Sequence, residues 1–419
     1  MEKIRSVRGF RDISGEEADK FALIEQESRA VSQLLGFREV SIPILEKTDL
    51  FKRSIGDTTD IVEKEMFTFT DRSGDSLTMR PEATAGFVRY YLQEGLHAKE
   101  RISRFYMLGP MFRHERPQKG RFRQFHQVDV EIFGAAEPIV DAELLWMVFL
   151  LLDRLGVAGY TIELNSVGCK ACRAPFRELL VSYFSDKKEA LCEDCQGRLT
   201  RNPLRIFDCK NEGCIELGKQ SPLLFDHLCE PCMTHFESLN RYLGEFDISV
   251  SVNKRLVRGL DYYTRTVFEV TSGELGAQKA FLAGGRYDNL VEEMGGPDVP
   301  GIGFAIGMER LALLMAPVKD MKPKLFLACV GEEASAFRVP LLKAFSQNNL
   351  PLLYSADPKS LKSQMRHADS LGAAYVLILA GDELQKGIIL LRNMRDGSQS
   401  ELPLDVASLP QRLEKLLVE

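Results

Sequence analysis

Along residues 105–134 apolar and polar positions alternate in two runs, YMLGPMFRHE and FRQFHQVDVEIF. They predict two strands joined by the charged, glycine-containing loop RPQKGR, an antiparallel hairpin with a long tip. In the second run the period of two puts Gln127, Asp129 and Glu131 on one face and His126, Val128, Val130 and Ile132 on the other. The apolar face packs inward. The polar face, beside Arg113 and Glu115 of the partner strand, is too acidic for a dry core and reads as the floor of a polar-ligand site.

Upstream, Phe21, Ile24, Val31, Leu34 and Leu35 recur at helical spacing and predict a helix over about 16–35, opened by a capping box of Ser14 and Glu17 and stopped at Gly36. FREVSIPILEKTDLF alternates at Val40, Ile42 and Ile44, and Pro43 confines that strand to a sheet edge or an interface; a dimer contact and ordinary core packing both suit it. Residues 66–70 read as a short strand closed by the turn DRSGDS. SLTMRPEATAGFVRYYL starts as a strand and becomes a helix at Pro81, with Glu82 and Thr84 at the bend, where they either cap the helix or point into a cleft.

Beyond the hairpin, residues 142–155 form an apolar helical run and TIELNSV a strand, after which composition shifts at Cys169. The stretch 169–239 carries CKAC, CEDC, CKNEGC and CEPC between helical patches and reads as an inserted module, ending where alternation returns at FDISVSV. RLVRGLDYYTRTVFEV predicts a turn at Gly259 and a strand with Tyr263, Arg265, Val267 and Glu269 on one face. After AGGRYDNLVEEMGG, the run PGIGFAIGMERLALLM predicts a short strand whose Gly301, Gly303 and Gly307 let backbone approach a ligand, then a helix carrying Arg310. Its GxGxxG-like spacing lacks the βαβ unit and distal acid of a dinucleotide site. From about Lys322, strands KLFLACV, PLLYSA, AYVLILA and GIILLRN alternate with helices, which predicts a small α/β domain with a largely parallel sheet, reached through the linker APVKDMKPK.

At 419 residues the chain has room for two or three domains, and a formal net charge of −6 argues against indiscriminate coating of nucleic acid while leaving local basic patches for a particular RNA. No apolar run approaches the roughly 20 residues that cross a bilayer, and MEKIRSVRGFRD lacks an apolar signal region, so a cytoplasmic protein with no membrane partner is expected. Eight of the nine cysteines lie between Cys169 and Cys232, a density that points to metal before disulfide, with Cys329 left as core. Cys169, Cys172, Cys192 and Cys195 have the spacing of one zinc site, and Cys209, Cys214, Cys229 and Cys232 form a looser second quartet. One or two structural Zn²⁺ ions would organise a module too small for its own core; reduced thiols buried as small apolar groups are the alternative.

Arg113, Arg258 and Arg310, with several carboxylates and neither a Walker lysine loop nor a Ser/His/Asp set, suit phosphate and carboxylate groups of a substrate; the carboxylates suit an amine, an imidazole or Mg²⁺. The stretches TMRPEATAG, GPMFRHERPQKGRFRQFHQ, LVRGLDYYTRTVFE, AGGRYDNL, GIGFAIGMERL and SLKSQMRHADSLGA resemble the signature motifs of class II aminoacyl-tRNA synthetases, and RGLDYYTRT those of the histidyl-tRNA synthetase family. The resemblance covers nearly the whole chain. It implies an α+β fold: an antiparallel class II catalytic sheet flanked by helices (1–168 and 240–320), a Cys-rich helical insertion (169–239) and a C-terminal α/β anticodon-binding domain (323–419).

The resemblance further implies a homodimer that joins L-histidine to ATP as histidyl-adenylate, with Mg²⁺, and passes it to the 3′ end of tRNA(His). By it, Arg113 and Arg258 are catalytic, and Glu82, Ala83, Thr84, Arg113, Gln127, Glu131, Arg258, Tyr262 and Tyr263 surround histidine. Glu82, Thr84 and Gln127 take the α-amine, Glu131 and Tyr263 the imidazole, and Arg113, Glu115, Arg121 and Arg310 bind ATP. The loop 116–121 would touch ATP and the tRNA acceptor end, and Lys359, Lys362 and Arg366 the anticodon region. One departure is Ala83, where the family usually has glycine. The alternative within the resemblance is a catalytically silent, synthetase-like regulatory subunit of ATP phosphoribosyltransferase, expected to have lost catalytic arginines or the C-terminal domain.

Overall fold

The apolar stripe of Phe21, Ile24 and Val31 forms helix α1, Glu16–Leu34, and buries those side chains in the main core. Its start differs from the expected capping box. Gly15, at φ +59°, is the N-cap and no side chain caps it, because Glu17 is drawn into an ion pair with Arg11. The computed structural model describes residues 3–56, 59, 61–276, 279–318, 325–356 and 360–418, and falls into two compact units, residues 1–318 and 319–419.

The first unit continues through β1 (Arg38–Glu39), β2 (Leu45–Lys47), α2 (Thr48–Ile55), β3 (Phe67–Thr70), β4 (Ser76–Met79), α3 (Thr84–Gln93), α4 (Leu96–Lys99), β5 (Ser103–Phe112), β6 (Gln124–Phe133), α5 (Pro138–Arg154) and β7 (Tyr160–Ser166). The cysteine-rich segment follows as α6 (Lys170–Ser185), α7 (Glu193–Arg201), a 3-10 turn over Pro203–Asp208, α8 (Glu212–Lys219) and α9 (Glu230–Glu245). Then come β8 (Ser251–Val252), β9 (Thr264–Ser272), β10 (Ala280–Arg286), α10 (Leu290–Glu293), β11 (Gly301–Gly307) and α11 (Met308–Leu314).

The central sheet has the order β1-β5-β6-β11-β10-β9-β7-β8. Its six inner strands are antiparallel, and the outer pairs β1/β5 and β7/β8 are parallel. The edge strand β1 stops at Glu39, short of the predicted alternation through Ile44. Pro43 cannot donate to a ladder, and the guanidinium of Arg80 takes the Ile42 carbonyl at 2.6 Å and the Pro110 carbonyl at 2.9 Å. Arg80, only 3% exposed, is thus a cation that staples the proline-bearing segment to β5. A second break falls in β9: Arg265 has φ +46°, the register with β10 slips between Gly285 and Arg286, and Arg265 turns to Asp288 at 3.8 Å instead of sharing the face of Val267 and Glu269.

One face of this sheet buries Val128, Val130 and Ile132 with apolar residues of α1, α5, α9 and α11. A second apolar cluster joins Phe87 and Tyr91 of α3, Phe105 and Phe133 of the hairpin, Tyr262, Tyr263 and Tyr287, and Phe176, Leu180 and Phe184 of α6. The cysteine-rich segment therefore shares a core with the sheet, which removes the need for one of its own.

In the second unit β12 (Leu325–Cys329), α12 (Glu332–Ala336), α13 (Arg338–Gln347), β13 (Leu352–Tyr354), α14 (Leu361–Ser370), β14 (Tyr375–Leu379), α15 (Gly381–Lys386), β15 (Ile388–Asn393), β16 (Gln399–Pro403) and α16 (Leu409–Val418) form a sheet of order β13-β12-β14-β15-β16. It is mixed, not largely parallel: β13, β12 and β14 are parallel, and β15 and β16 antiparallel. The six-residue α15 and left-handed Gly387 return the chain too soon for a parallel crossover, which takes about a dozen residues. Cys329 is buried in this core, and Lys362 and Arg366 are exposed on α14. Lys359 and linker residues 319–324 lie outside the described residues.

One tie between sheet and helices is ionic. Asp141 of α5, fully buried, receives Arg286 Nε at 2.7 Å and Thr266 Oγ1 at 2.6 Å and lies 2.8 Å from His235 Nε2 of α9. Arg286, also fully buried, spends its remaining donors on the Ala135 and Glu137 carbonyls and Asp288. Burial alone would raise the Asp141 carboxyl, but Arg286 and His235 hold it below the ordinary aspartate value. Asp141→Asn leaves buried Arg286 with Asp288 as its remaining carboxylate and is expected to cost about 3 kcal/mol. The loss is read as an earlier first transition in denaturant unfolding, and an unchanged midpoint would show that the pair does not support the fold.

Candidate active site

The polar face of β6 becomes a floor because β11 beside it is thin there. Gln127 lies between Gly109 and Gly307, Asp129 between Met107 and Ala305, and Glu131 between Phe105 and Gly303. Period two on β11 thus sets Gly303, Ala305 and Gly307 along the cavity side while Ile302, Phe304 and Ile306 stay in the core. A Cβ at Gly303 would stand 1.7 Å from Glu131 Oε2 and 2.5 Å from the Val130 carbonyl. Glycine is required for the acid to lie flat against the sheet.

Above this floor opens a cavity of about 250 Å³ lined by Glu82, Ala83, Thr84, Arg113, Glu115, Arg121, Gln127, Asp129, Arg258, Tyr262, Tyr263 and Arg310, among others. Nearly every residue singled out from sequence is there. Glu131 is the exception: it lies beneath the lining, accepting Thr84 Oγ1 at 2.6 Å and a short hydrogen bond from Tyr287. Glu82 satisfies both readings of its bend, since it lines the cavity and its carboxylate accepts the Thr84 and Ala85 amides at 2.8 and 2.9 Å, capping α3.

Arg113 and Glu115 lie beyond the end of β5, not on the strand. Arg113 is aimed by Nε donation to the Pro81 carbonyl at 2.8 Å and by the Phe125 ring, 5.4 Å away. Arg121 returns from the loop tip to Glu115 at 2.9 Å, and Gly120 at φ +72° brings that loop over Arg310 and Leu313. Arg258 is held by Glu269, stands over the Tyr263 ring at 5.7 Å, and has a buried Nε with no hydrogen-bond partner. A second cavity of about 350 Å³, lined by Arg173, Arg177, Arg201 and Arg205, shares Arg258, Leu260 and Tyr263 with the first.

The electrostatics suit a ligand with charges of both signs. Burial, then the neighbouring Arg121, lowers the Arg310 guanidinium to about 10, so an incoming anion would relieve two crowded cations. On the floor, burial pushes the Asp129 carboxyl up to about 8 despite Arg80, and it raises Glu82 and Glu131 as well. Asp129 is 3% exposed, and its Oδ2, like Oε1 of Gln127, is buried without a hydrogen-bond partner. Two acceptors are waiting for a donor. Asp129 was legible as part of the acidic face but not as an unpartnered acceptor on the cavity floor. Glu269 and Tyr287, both on the cavity wall, had no signal beyond strand alternation and the AGGRYDNL run.

The cysteines gather in two quartets, but not those expected from spacing. Cys169, Cys172, Cys229 and Cys232 form one, and Cys192, Cys195, Cys209 and Cys214 the other, the sulfurs of each lying within 4.8 Å of one another. The pairing follows from helix packing: Cys169 and Cys229 are the N-caps of α6 and α9, so those two CxxC turns meet, and the intervening pairs close on each other. None of the nine cysteines forms a disulfide.

A family model described as histidyl-tRNA synthetase matches residues 9–176 and 216–311, and one described as anticodon binding domain matches 324–415. A histidine–tRNA ligase of Trichlorobacter lovleyi is 48% identical over 97% of both chains, and that of Geobacter sulfurreducens 46% over 98% of this chain and 100% of the relative. The crystal structure of apo S. aureus histidyl-tRNA synthetase is 33% identical, with a TM-score of 0.80 over 98% of this chain and 99% of that one. A Bacillus halodurans C chain described as an ATP phosphoribosyltransferase regulatory subunit/histidyl-tRNA synthetase shares the fold, with a TM-score of 0.67 at 20% identity over 91% of this chain and 99% of that one.

Proposed function

The chain belongs to the histidyl-tRNA synthetase family and acts as a histidine–tRNA ligase, and from that premise we propose how its residues divide the work. The observation that carries the proposal is that Arg113, Arg258 and Arg310 wall the same cavity whose floor holds Gln127 and Asp129. Histidine enters with its α-ammonium toward Glu82, Thr84, Gln127 and, added to these, Asp129; its imidazole lies toward Tyr262, Tyr263 and the Glu131 carboxylate behind Thr84 and Tyr287. Ala83, wholly buried, forms the wall between Glu82 and Thr84. A pocket whose acceptors lack partners until an ammonium arrives discriminates against analogues without one.

Arg113 grips the α-phosphate and the histidine carboxylate, and Arg310, with Arg121 held by Glu115 at the loop base, takes the distal phosphates. A carboxylate oxygen of histidine forms a bond to the α-phosphorus as the bond to the bridging oxygen breaks and pyrophosphate leaves. Arg258 stands where negative charge grows in that step, and its guanidinium needs no reorganisation because Glu269 and Tyr263 already fix it. Glu115 and Glu269, wall carboxylates of the oxygen-donor kind, would hold a Mg²⁺ brought with the nucleotide, and its charge would offset that of the phosphates. The 3′-hydroxyl of tRNA(His) then attacks the histidyl carbonyl and AMP departs; the arginine-lined second cavity and loop 116–121 suit the phosphates of the acceptor end.

We assign residues 1–168 and 240–320 to catalysis, 169–239 to an insertion carrying structural zinc in each cysteine quartet, and 323–419, with Lys362 and Arg366 on α14, to the anticodon region. Exposed Ile44 and Leu45, which follow the edge strand in the chain, and exposed Phe69 of β3 support a homodimer. Among the described residues no helix is long and apolar enough to cross a membrane; the cytoplasm, where tRNA is charged, is the proposed location. The silent regulatory reading finds no support in a cavity that keeps all three arginines.

Histidine-dependent exchange of pyrophosphate into ATP tests the reading. Arg258→Ala is expected to abolish exchange with unchanged circular dichroism, and an active variant would remove Arg258 from the reaction. Because the empty-site Asp129 carboxyl titrates at about 8, its charged fraction rises toward pH 8 and an ammonium binds that form. The KM for histidine should therefore fall as pH rises from about 6.5 to 8, by at most about tenfold per unit, and flatten in Asp129→Asn. Equal slopes in the two proteins would take Asp129 out of the ammonium site. Sedimentation at working concentration should give a dimer, and a monomer would contradict that assignment.

A further inference from the structure

The two cysteine quartets differ in what they hold. Cys169, Cys172, Cys229 and Cys232 tie the first turns of α6 and α9 together. Cys192, Cys195, Cys209 and Cys214 instead close a loop, and between Cys195 and Cys209 that loop reaches the segment carrying Arg258. Asn202 Nδ2 donates to Asp261 Oδ1 at 2.8 Å, and Arg205 Nη2 donates to the Gly259 carbonyl at 3.1 Å. Arg205 is 5% exposed, and its own carbonyl accepts Arg198 Nη1 at 3.2 Å from α7, the helix whose N-cap is Cys192. Residues 259–261 are gripped at two points by a loop whose ends meet in four sulfurs. Cys192, Cys209 and Asp208 also line one cleft with Arg113, Arg121 and Arg258.

The sulfur geometry fits an ion. Cys192 Sγ and Cys209 Sγ are 3.7 Å apart, against about 3.8 Å for the edge of a tetrahedron with zinc–sulfur bonds of about 2.3 Å. A disulfide would need about 2.05 Å. Backbone amides already point at the sulfurs, Cys192 N–H to Cys214 Sγ at 3.2 Å and Asn211 N–H to Cys209 Sγ at 3.4 Å, as suits charged thiolates. These four cysteines, Asn202 and Arg205 all lie in 177–215, outside the stretches that the family model matches.

We propose that the quartet Cys192, Cys195, Cys209 and Cys214 is a zinc site that positions Arg258, through Asn202 and Arg205, for the adenylation step. The proposal rests on zinc occupying the quartets and deepens that reading: this metal serves turnover through residues 259–261, whereas the metal at Cys169, Cys172, Cys229 and Cys232 fixes the packing of α6 on α9, from which Arg173 reaches the Tyr263 carbonyl beyond that loop. Residues 202 and 205 are positioning residues, since they touch the backbone and side chain of the loop and not the substrate. Displacing the Arg258 guanidinium by an ångström weakens stabilisation of the growing charge while leaving the histidine contacts of the floor in place.

The test uses the full chain purified without chelator, with zinc counted by elemental analysis and pyrophosphate exchange resolved into kcat and KM for histidine. Two zinc ions per chain are expected. Cys209→Ser should retain one and lose kcat by up to about 10²-fold with KM for histidine nearly unchanged. Cys229→Ser should also retain one, unfold earlier on heating, and keep kcat within a fewfold. Arg205→Ala and Asn202→Ala, which leave both metal sites intact, should keep two zinc ions and show the same fall in kcat, so the proposal stays testable should Cys209→Ser fail to fold. Two zinc ions with full kcat in Arg205→Ala and Asn202→Ala would overturn the coupling and leave the zinc assignment standing. No zinc with eight free thiols in this segment would overturn the zinc assignment itself.

Discussion

A carboxylate taken out of water must be offset by a partner or give up its charge, and the central sheet meets that constraint in two opposite ways. Asp141 is offset permanently: Arg286, His235 and Thr266 surround it, its carboxyl is held low, and the result joins α5, α9, β9 and β10. Asp129 is left with Oδ2 unpartnered, its carboxyl is held high, and the result is a vacancy of charge facing the cavity. Both lie on or beside the same sheet and both are nearly inaccessible. What separates Asp141 from Asp129, the acid proposed to meet the ammonium, is whether the fold supplies the cation or leaves it to a ligand.

That distinction requires room, and β11 provides it. With Gly303, Ala305 and Gly307 opposite the polar residues of β6, the acids lie beside a strand with almost no side chains on that face, while Ile302, Phe304 and Ile306 keep the strand anchored in the core. One strand therefore does two things by parity alone. The arginines come from outside the floor, Arg113 after β5, Arg258 before β9 and Arg310 on α11, so the cationic wall and the acidic floor are carried by different elements and do not neutralise one another in the empty site.

Much of this was legible in the chain, and the losses have identifiable causes. Alternation located the hairpin, its buried face and its polar face, because a sheet with one dry side imposes period two directly. Alternation failed at Arg265, where a positive φ inserts a bulge, and at Ile42, where a buried arginine takes the carbonyl that a ladder would have used. The capping box at Ser14 failed because Arg11 outbid the helix for Glu17. In the second unit, strand and helix alternation could not tell a crossover from a return through the short α15. Cysteine spacing found the metal-type residues but paired them by distance along the chain, whereas the helix N-termini of α6 and α9 pair them by packing.

Fold likeness by itself would not have separated the readings that remained. The Bacillus halodurans C chain has the same architecture at 20% identity and carries two descriptions at once, so the sheet order is neutral between catalysis and regulation. The site is not neutral. A scaffold kept for binding alone has no need to aim Arg113 with a proline carbonyl and a phenyl ring, or to hold Arg258 against Glu269 with an unpartnered Nε, since each arrangement confines a flexible cation at a cost in entropy and desolvation. Such confinement is useful where charge must be met at the moment it develops, without reorganisation. The preorganised arginines are therefore the feature of this chain that speaks for chemistry, and the unpartnered acceptors on the floor speak for the amino acid it acts upon.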